Sequence, residues 1–406
     1  MGLTLCVMAH LRHAAPAGGQ IVPPTNAPAA TSPMFRATGY FRTGFARGRW
    51  WLVTPDGRPF YANGIDHVSA APDTDRTTNT CPYCDAIATA YPDLDAWTTA
   101  TVDRLHAWGF NTLGAWSDTD RFAARIPYTV LLDLASGDDW FAPAFAAHAA
   151  TIAASEVAPR RNDPNLLGWY LDSELRWGVD WRKQQSLLDD YLALPAASPG
   201  RSVAERYATD PEGFLRILAR RYFQVTTAAV RAQDPNHLIL GTKMITQLTP
   251  RTVVRVARRY VDVLTVDDYT LLPGLDDLIQ QTWGPFVRRT PTLVAFHAAA
   301  HRPVMVAEYS FRAADAGVPN SWPPIFPIYP TQQARADAYV AYIEQLHQAP
   351  WVVGDFWFEY ADEPKGGRFD GEDSNFGVVS TGDVPWQVLT DRMTAVHAES
   401  PDHLVP

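Results

Sequence analysis

Short apolar runs alternate along this chain with longer stretches in which apolar residues recur at helical spacing, and the alternation starts near Phe41. The first two runs, Trp50-Trp-Leu-Val53 and Phe60-Tyr61, flank Pro55-Asp-Gly57. Proline presets φ there, Asp caps the turn and Gly accepts positive φ, so the pattern predicts a hairpin. The second run continues as a strand through Ile65 to the polar pair Asp66-His67. Helical spacing over Asp93–Trp108 is stopped by Gly109, before a strand-like run from Phe110 to Trp116. Strand-like Tyr128–Leu134 precedes a helix over 142–157, and Leu166–Leu171 precedes one over 211–232. His237–Thr242, Val261–Val266, Pro303–Ala307 and Val352–Trp357 complete the strands, interleaved with helices over 250–260, 292–300, 331–347 and 386–397. Counted from Phe60 there are eight strands, apolar on both faces, as a parallel sheet covered by helices requires. The expected fold is therefore α/β, a single closed (β/α)₈ TIM barrel with an N-terminal hairpin. An open doubly wound sheet would want a Gly-rich phosphate loop, and none is found.

The 406 residues are 47% hydrophobic and 19% charged, which supports an extensive core. Residues 1–34 do not share the pattern. A short apolar stretch without a basic flank makes a poor export signal, and the Ala, Pro, Gly, Thr and Ser that follow read as a disordered leader or flexible linker. The catalytic unit is placed at 35–406. With 34 basic against 44 acidic side chains, a net charge of -10 and only three lysines, no basic run is available to follow nucleic acid. Every long apolar stretch is interrupted by Arg, Asp, Pro or Gly, so no membrane span is expected. Cys81 and Cys84 read either as a local disulfide, as free thiols or as half a zinc site, and no second Cys pair completes a zinc signature.

In a (β/α)₈ barrel the functional groups sit just past the carboxyl ends of the strands. Strand four ends in Asp172-Ser173-Glu174, strand six in Asp267-Asp268-Tyr269, strand seven in Glu308-Tyr309-Ser310 and strand eight in Glu359-Tyr360-Ala361-Asp362. One glutamate after a strand is ordinarily a solvated loop residue or a helix cap. Two across one barrel mouth are what glycosidic cleavage needs, one protonated toward the leaving oxygen and one ionised toward the anomeric carbon. Trp116, Trp169, Trp177, Trp181, Trp283, Trp322 and Trp357 fall at or near the mouth, where indole faces stack on sugar rings, although about half are expected to be packing residues.

The strand-four segment from Leu166 to Gly178, the strand-seven segment from Pro303 to Asn320 and the strand-eight segment from Gly354 to Gly377 resemble the (β/α)₈ retaining glycoside hydrolases related to β-agarases and β-galactosidases. The motifs are most similar to the β-agarase-like branch, and the opening Trp-Trp-Leu-Val-Thr-Pro-Asp-Gly-Arg-Pro-Phe-Tyr-Ala-Asn-Gly is similar too. The resemblance implies Glu174 as acid/base, Glu308 as nucleophile and Tyr269 as the nucleophile's partner. It implies sugar contacts from strand ends, Trp357 included, and a galactose-type β-linked oligo- or polysaccharide substrate. Position 173 is Ser where the clan usually has Asn, which puts the usual 2-hydroxyl contact in doubt.

Further candidate sugar contacts are Asp66, His67, Trp116, Asp172, Ser173, Trp177, Lys243, Arg312 and Glu359, and Lys243 ends strand five in a chain that otherwise uses Arg. Arg176 and Arg312 are each close in sequence to one glutamate, as substrate ligands or as partners of the carboxylates. The acidic run Asp370–Asn375 lacks the EF-hand spacing, and no metal or cofactor is expected. Motifs for serine hydrolases, zinc proteases and P-loop enzymes are missing. The competing readings are a transglycosylase on the same barrel and a carbohydrate-binding pseudo-enzyme. A polysaccharide substrate argues for a secreted or periplasmic location; the oligomeric state stays open.

Overall fold

A computed structural model of the chain describes residues 34–272 and 293–405. The leader expected over the first 34 residues lies outside them apart from Met34, as does Trp283. The barrel strands are Ala62–Ile65 (β1), Thr112–Leu113 (β2), Tyr128–Leu131 (β3), Leu166–Tyr170 (β4), Leu238–Gly241 (β5), Leu264–Asp267 (β6), Val304–Tyr309 (β7) and Val352–Trp357 (β8). All pairings among them are parallel, neighbours in sequence are neighbours in space, and β8 pairs with β1. The ring closes at strand five. Gly168 of β4 pairs with Leu238, the chain turns at Gly241 (φ 94°) and Lys243 (φ 44°), and Met244–Ile245 then pairs with β6. The fifth stave is thus one strand broken at its top, and Lys243 is carried on the break.

Every expected strand is present; β8 has the expected bounds, β7 runs on to Tyr309, and the others are shortened by one to a few residues. The helices that follow the strands are Leu94–Ala107 (α1), Thr119–Phe122 (α2), Pro143–Ile152 (α3), Pro211–Gln233 (α4), Arg251–Ala257 (α5), Leu293–Ala300 (α6), Gln332–Gln348 (α7) and Gln387–His397 (α8). Asp93, Asp210 and Thr331 cap α1, α4 and α7 by accepting from backbone amides of the first turn, as their side chains favour. Three further helices, Pro82–Ala90, Leu187–Leu192 and Pro199–Glu205, lie in the loops after β1 and β4. Cys81 and Cys84 form a disulfide at the start of the first of these.

The expected hairpin is a three-stranded antiparallel meander, in which Arg42–Ala46 pairs with Arg49–Val53 and that strand with Pro59–Phe60. Phe41 and Leu52 pack with Ala62, Leu238, Val263, Met305 and Val353, side chains from the amino-terminal half of the barrel interior. The Trp50 amide donates to the Pro350 carbonyl just before β8 at 2.7 Å. The meander therefore plugs the bottom of the barrel, and solvent enters from the carboxyl ends of the strands. A second, larger core fills the space between strands and helices.

The loops at the open end are tied together. After β1, the Arg76 amide donates to Gly367 O at 2.9 Å, and Asp75 accepts from the Gly366 amide at 2.8 Å, both glycines lying after β8. The β8 loop is joined in turn to the β7 loop, where Arg312 donates to Ser374 and Asp373 accepts from the Trp322 amide, each at 2.9 Å.

Candidate active site

Backbone conformation is the first sign of where chemistry sits. His67, Trp116, Asp133, Glu174 and Lys243, each just past a barrel strand, have φ between 44° and 58°. This left-handed region costs non-glycine residues about 1–3 kcal/mol when held there. The strand ends accept it because it turns these side chains over the barrel mouth, where straight strands would lead them up and away.

Glu308, at the top of β7, is buried. Its Oε1 lies 2.7 Å from Lys243 Nζ and its Oε2 accepts from Tyr269 OH at 2.8 Å. Both oxygens accept, which is the bonding pattern of a carboxylate. Lys243 Nζ is itself fully buried, 3.4 Å from Asp66 Oδ2 and 4.0 Å from the centre of the Trp116 ring. Burial works against its charge, but Asp66 and Glu308, the largest opposing influences, hold the ammonium above its ordinary value. Burial pushes Asp66 up to about 7, even with Lys243 beside it.

Glu174 faces this group from β4, with its amide hydrogen-bonded at 3.2 Å to the carbonyls of Thr242 and Lys243. Desolvation and then the nearby charge of Glu308 raise its carboxyl to about 8, against opposing pulls from Arg182 and Lys243. The nearest carboxyl oxygens of Glu174, Asp267 and Glu308 all lie within 4.8 Å of one another. Of the two neighbouring carboxyls, Glu308 is thus hydrogen-bonded at both oxygens as an anion is, while Glu174 favours its acid form near neutrality.

A second polar group lines the mouth between the β1 and β8 loops. His67 Nδ1 lies 2.5 Å from Glu359 Oε2 and 3.9 Å from Asp73. Burial opposes a charge on His67, yet the hydrogen bond and charge of Glu359, with Asp73 adding to them, raise its basicity overall. Burial and Glu359 together push Asp73 up to about 6. Either group of three, His67-Asp73-Glu359 or Glu174-Asp267-Glu308, has donor atoms close enough to share a cation. Each already faces a cationic side chain of the protein, Arg368 in the first case and Lys243 in the second.

Of the expected contacts, the structure brings Asp66, His67, Trp116, Glu174, Lys243, Tyr269, Glu308 and Glu359 to the mouth. Ser173 is half-buried between Asp172 and Glu174. Four expected contacts are used elsewhere. Asp172 accepts from Tyr222 OH and from the Ala135 amide, pinning β4 to α4. Trp177 is buried, stacked on Phe223 and edge-on to Tyr222. Trp357 points into the helix layer and donates to the Glu359 and Phe376 carbonyls. Arg312 is a buried strut that donates to Ser374 and to the Pro323 and Phe326 carbonyls. Arg176 likewise pairs with Asp190 and not with Glu174. Among the other mouth tryptophans, Trp169 is buried against Asp234, whereas Trp116, Trp181 and Trp322 are 41%, 57% and 48% exposed. Sequence reasoning placed Asp267 only among the strand ends, with no role, and passed over Asp73, Arg182 and Arg368. Only Asp267 carried a signal, its place at the end of strand six.

No family model matches the chain. It is 26% identical to "Beta-agarase A" of Vibrio sp. (strain JT0107), over 85% of this chain and 44% of that protein. The solved structure of an agarase, AgWH50C, superposes with a TM-score of 0.76 at 26% identity, covering 91% of this chain and 65% of that one. An exo-beta-agarase structure superposes equally well at 23% identity, covering 92% and 67%, and at that identity speaks for the fold alone. The chain spans less than half the length of the curated relatives it matches.

Proposed function

We propose that this chain is a retaining β-glycosidase that hydrolyses β-linked, galactose-type oligo- or polysaccharides by double displacement. The observation that carries the reading is the pair at the ends of β4 and β7. One carboxyl oxygen of Glu174 lies within 4.8 Å of one of Glu308, so both carboxyls face the same small space, as attack and leaving-group protonation at one glycosidic bond require. Similarity to β-agarases supports the substrate class.

In this reading Glu308, oriented by Lys243 and Tyr269, attacks the anomeric carbon. Glu174 passes its proton to the departing glycosidic oxygen and is left ionised. Glu174 then takes a proton from water as the water oxygen bonds to the same carbon, and Glu308 is released as carboxylate. His67, Glu359 and Trp116 offer hydroxyl ligands and an apolar face for the bound sugar.

The test combines aryl β-glycosides of several sugars with agarose, comparing wild type and Glu308→Ala in the presence and absence of azide. The expected result is hydrolysis with retained configuration, a loss of at least about 10³-fold in the variant, and recovery with azide as the inverted glycosyl azide. Full activity in the variant removes Glu308 from the role, and inverted product from wild type removes double displacement. Saccharide binding without turnover by either protein would mark a binding module.

A further inference from the structure

Asp267 is the third carboxyl of the catalytic group and has no part in the two steps above. It ends β6, is 1% exposed, and neither of its oxygens has a hydrogen-bond partner among the described residues. Both glutamates nonetheless lie within 4.8 Å of it. The groups that act on it electrostatically are Glu308 from β7, Lys243 from the broken fifth strand, Glu174 from the end of β4 and Asp66 from β1. Asp267 in turn acts on the Tyr170 and Tyr269 phenols.

Lys243 is the one cation in this set, and its Nζ is taken by Glu308 and Asp66. An ionised Asp267 would be a further anion with neither a cation nor a donor at either oxygen, in a place water does not reach. Burial and the charge of Glu308 push its carboxyl well above the usual range.

Resting on the function proposed above, we infer that Asp267 stays a neutral carboxylic acid through both chemical steps and donates a hydrogen bond into the space between Glu174 and Glu308. It is a positioning residue that adds a donor beside Lys243 and Tyr269 without adding an anion. When Glu308 loses its charge by bonding to the sugar, Glu174 gains one by giving up its proton, and hydrolysis reverses both. The net charge of the group is therefore unchanged from stage to stage, and neither step calls on Asp267 to take up or release a proton.

Two measurements test this. Infrared difference spectra at pH 7 between Glu174→Gln and Glu174→Gln/Asp267→Asn proteins read Asp267 directly, with its neighbouring acid removed. Loss of a protonated carboxyl C=O band is expected, and loss of a carboxylate band would overturn the proposal. This readout needs no turnover, so it stands apart from failure of the glycosidase reading. In kinetics, Asp267→Ala is expected to lower kcat by about 10- to 100-fold, with Asp267→Asn recovering most of the loss and keeping the alkaline limb of the pH profile in place. An Asn variant as impaired as the Ala variant, or one whose alkaline limb moves down because an anion was removed, refutes it.

Discussion

Glu174 and Glu308 are the same side chain put to two uses by what surrounds them. Glu308 has a buried ammonium on one oxygen and a phenol on the other, whereas Glu174 has burial and the charge of Glu308 against it. This difference predicts an alkaline limb in the rate. In the proposed mechanism the acid form of Glu174 protonates the leaving group, so activity is expected to hold below its value of about 8 and to fall as pH rises through it. Glu174→Gln should abolish that limb and cost about 10²- to 10⁴-fold on substrates with poor leaving groups, but little on dinitrophenyl glycosides, which depart without a proton. A pH profile on both substrate types checks it, and an alkaline limb that survives in the Gln variant would assign the acid elsewhere. Both glutamates were legible in the sequence because each follows an apolar strand. Their partnership with Lys243 was not, since 65 residues separate Lys243 from Glu308 and only the ring of strands brings them together.

At the scale of elements, strand order and helix order were readable because periodicity is local. What misled was side-chain direction at strand ends. Asp172, Trp177, Trp357 and Arg312 stand at the right places in sequence but face helices or neighbouring loops, where Tyr222, Phe223, the Phe376 carbonyl and Ser374 engage them. Side-chain placement at a strand end also gives a prediction for Gly114, just past β2. A Cβ there would lie 1.7 Å from Asp66 Oδ1 and 2.7 Å from the Phe356 ring. Since Asp66 Oδ2 is 3.4 Å from Lys243, G114A must displace a side chain that faces the lysine holding Glu308. We expect kcat to fall by more than about 10-fold, with overpacking costing about 1–3 kcal/mol in stability. Thermal melts beside kinetics decide it, and a variant with wild-type kcat would show that Asp66 is not needed where it stands.

For the molecule as a whole, the barrel is closed at its seam by buried polar contacts as well as by strand pairing. His397 Nδ1 of α8 donates to the Trp108 carbonyl at 2.8 Å and its Nε2 accepts from Tyr339 OH at 2.7 Å, linking α8 to α7 and to the end of α1. Burial lowers its imidazole to about 4, so the folded protein holds it neutral. Below about pH 6.5 the unfolded chain binds this proton and the native state does not, so the contribution is present above that pH and is lost as pH falls toward 4. It follows that His397→Gln, destabilising at pH 7.5, should lose most of its deficit at pH 5, a change on the order of 2 kcal/mol. Denaturant melts of both proteins across that range would show it; a deficit independent of pH would mean that His397 contributes through packing alone.

The periodic pattern of apolar residues by itself determined the eight strands, their order and the end of the barrel where polar groups gather, because continuous apolar runs and helical spacing are both encoded within a few residues of chain. It also determined which glutamates end the strands. Tertiary structure alone decided that Lys243 takes Glu308 and Asp66 together, that Asp267 is sealed in with both glutamates, and that the loops after β1, β7 and β8 are tied into one wall. Those arrangements join residues from different strands at distances of a few ångströms. Charges so placed act through a shared water-poor space, and no local sequence window contains that information.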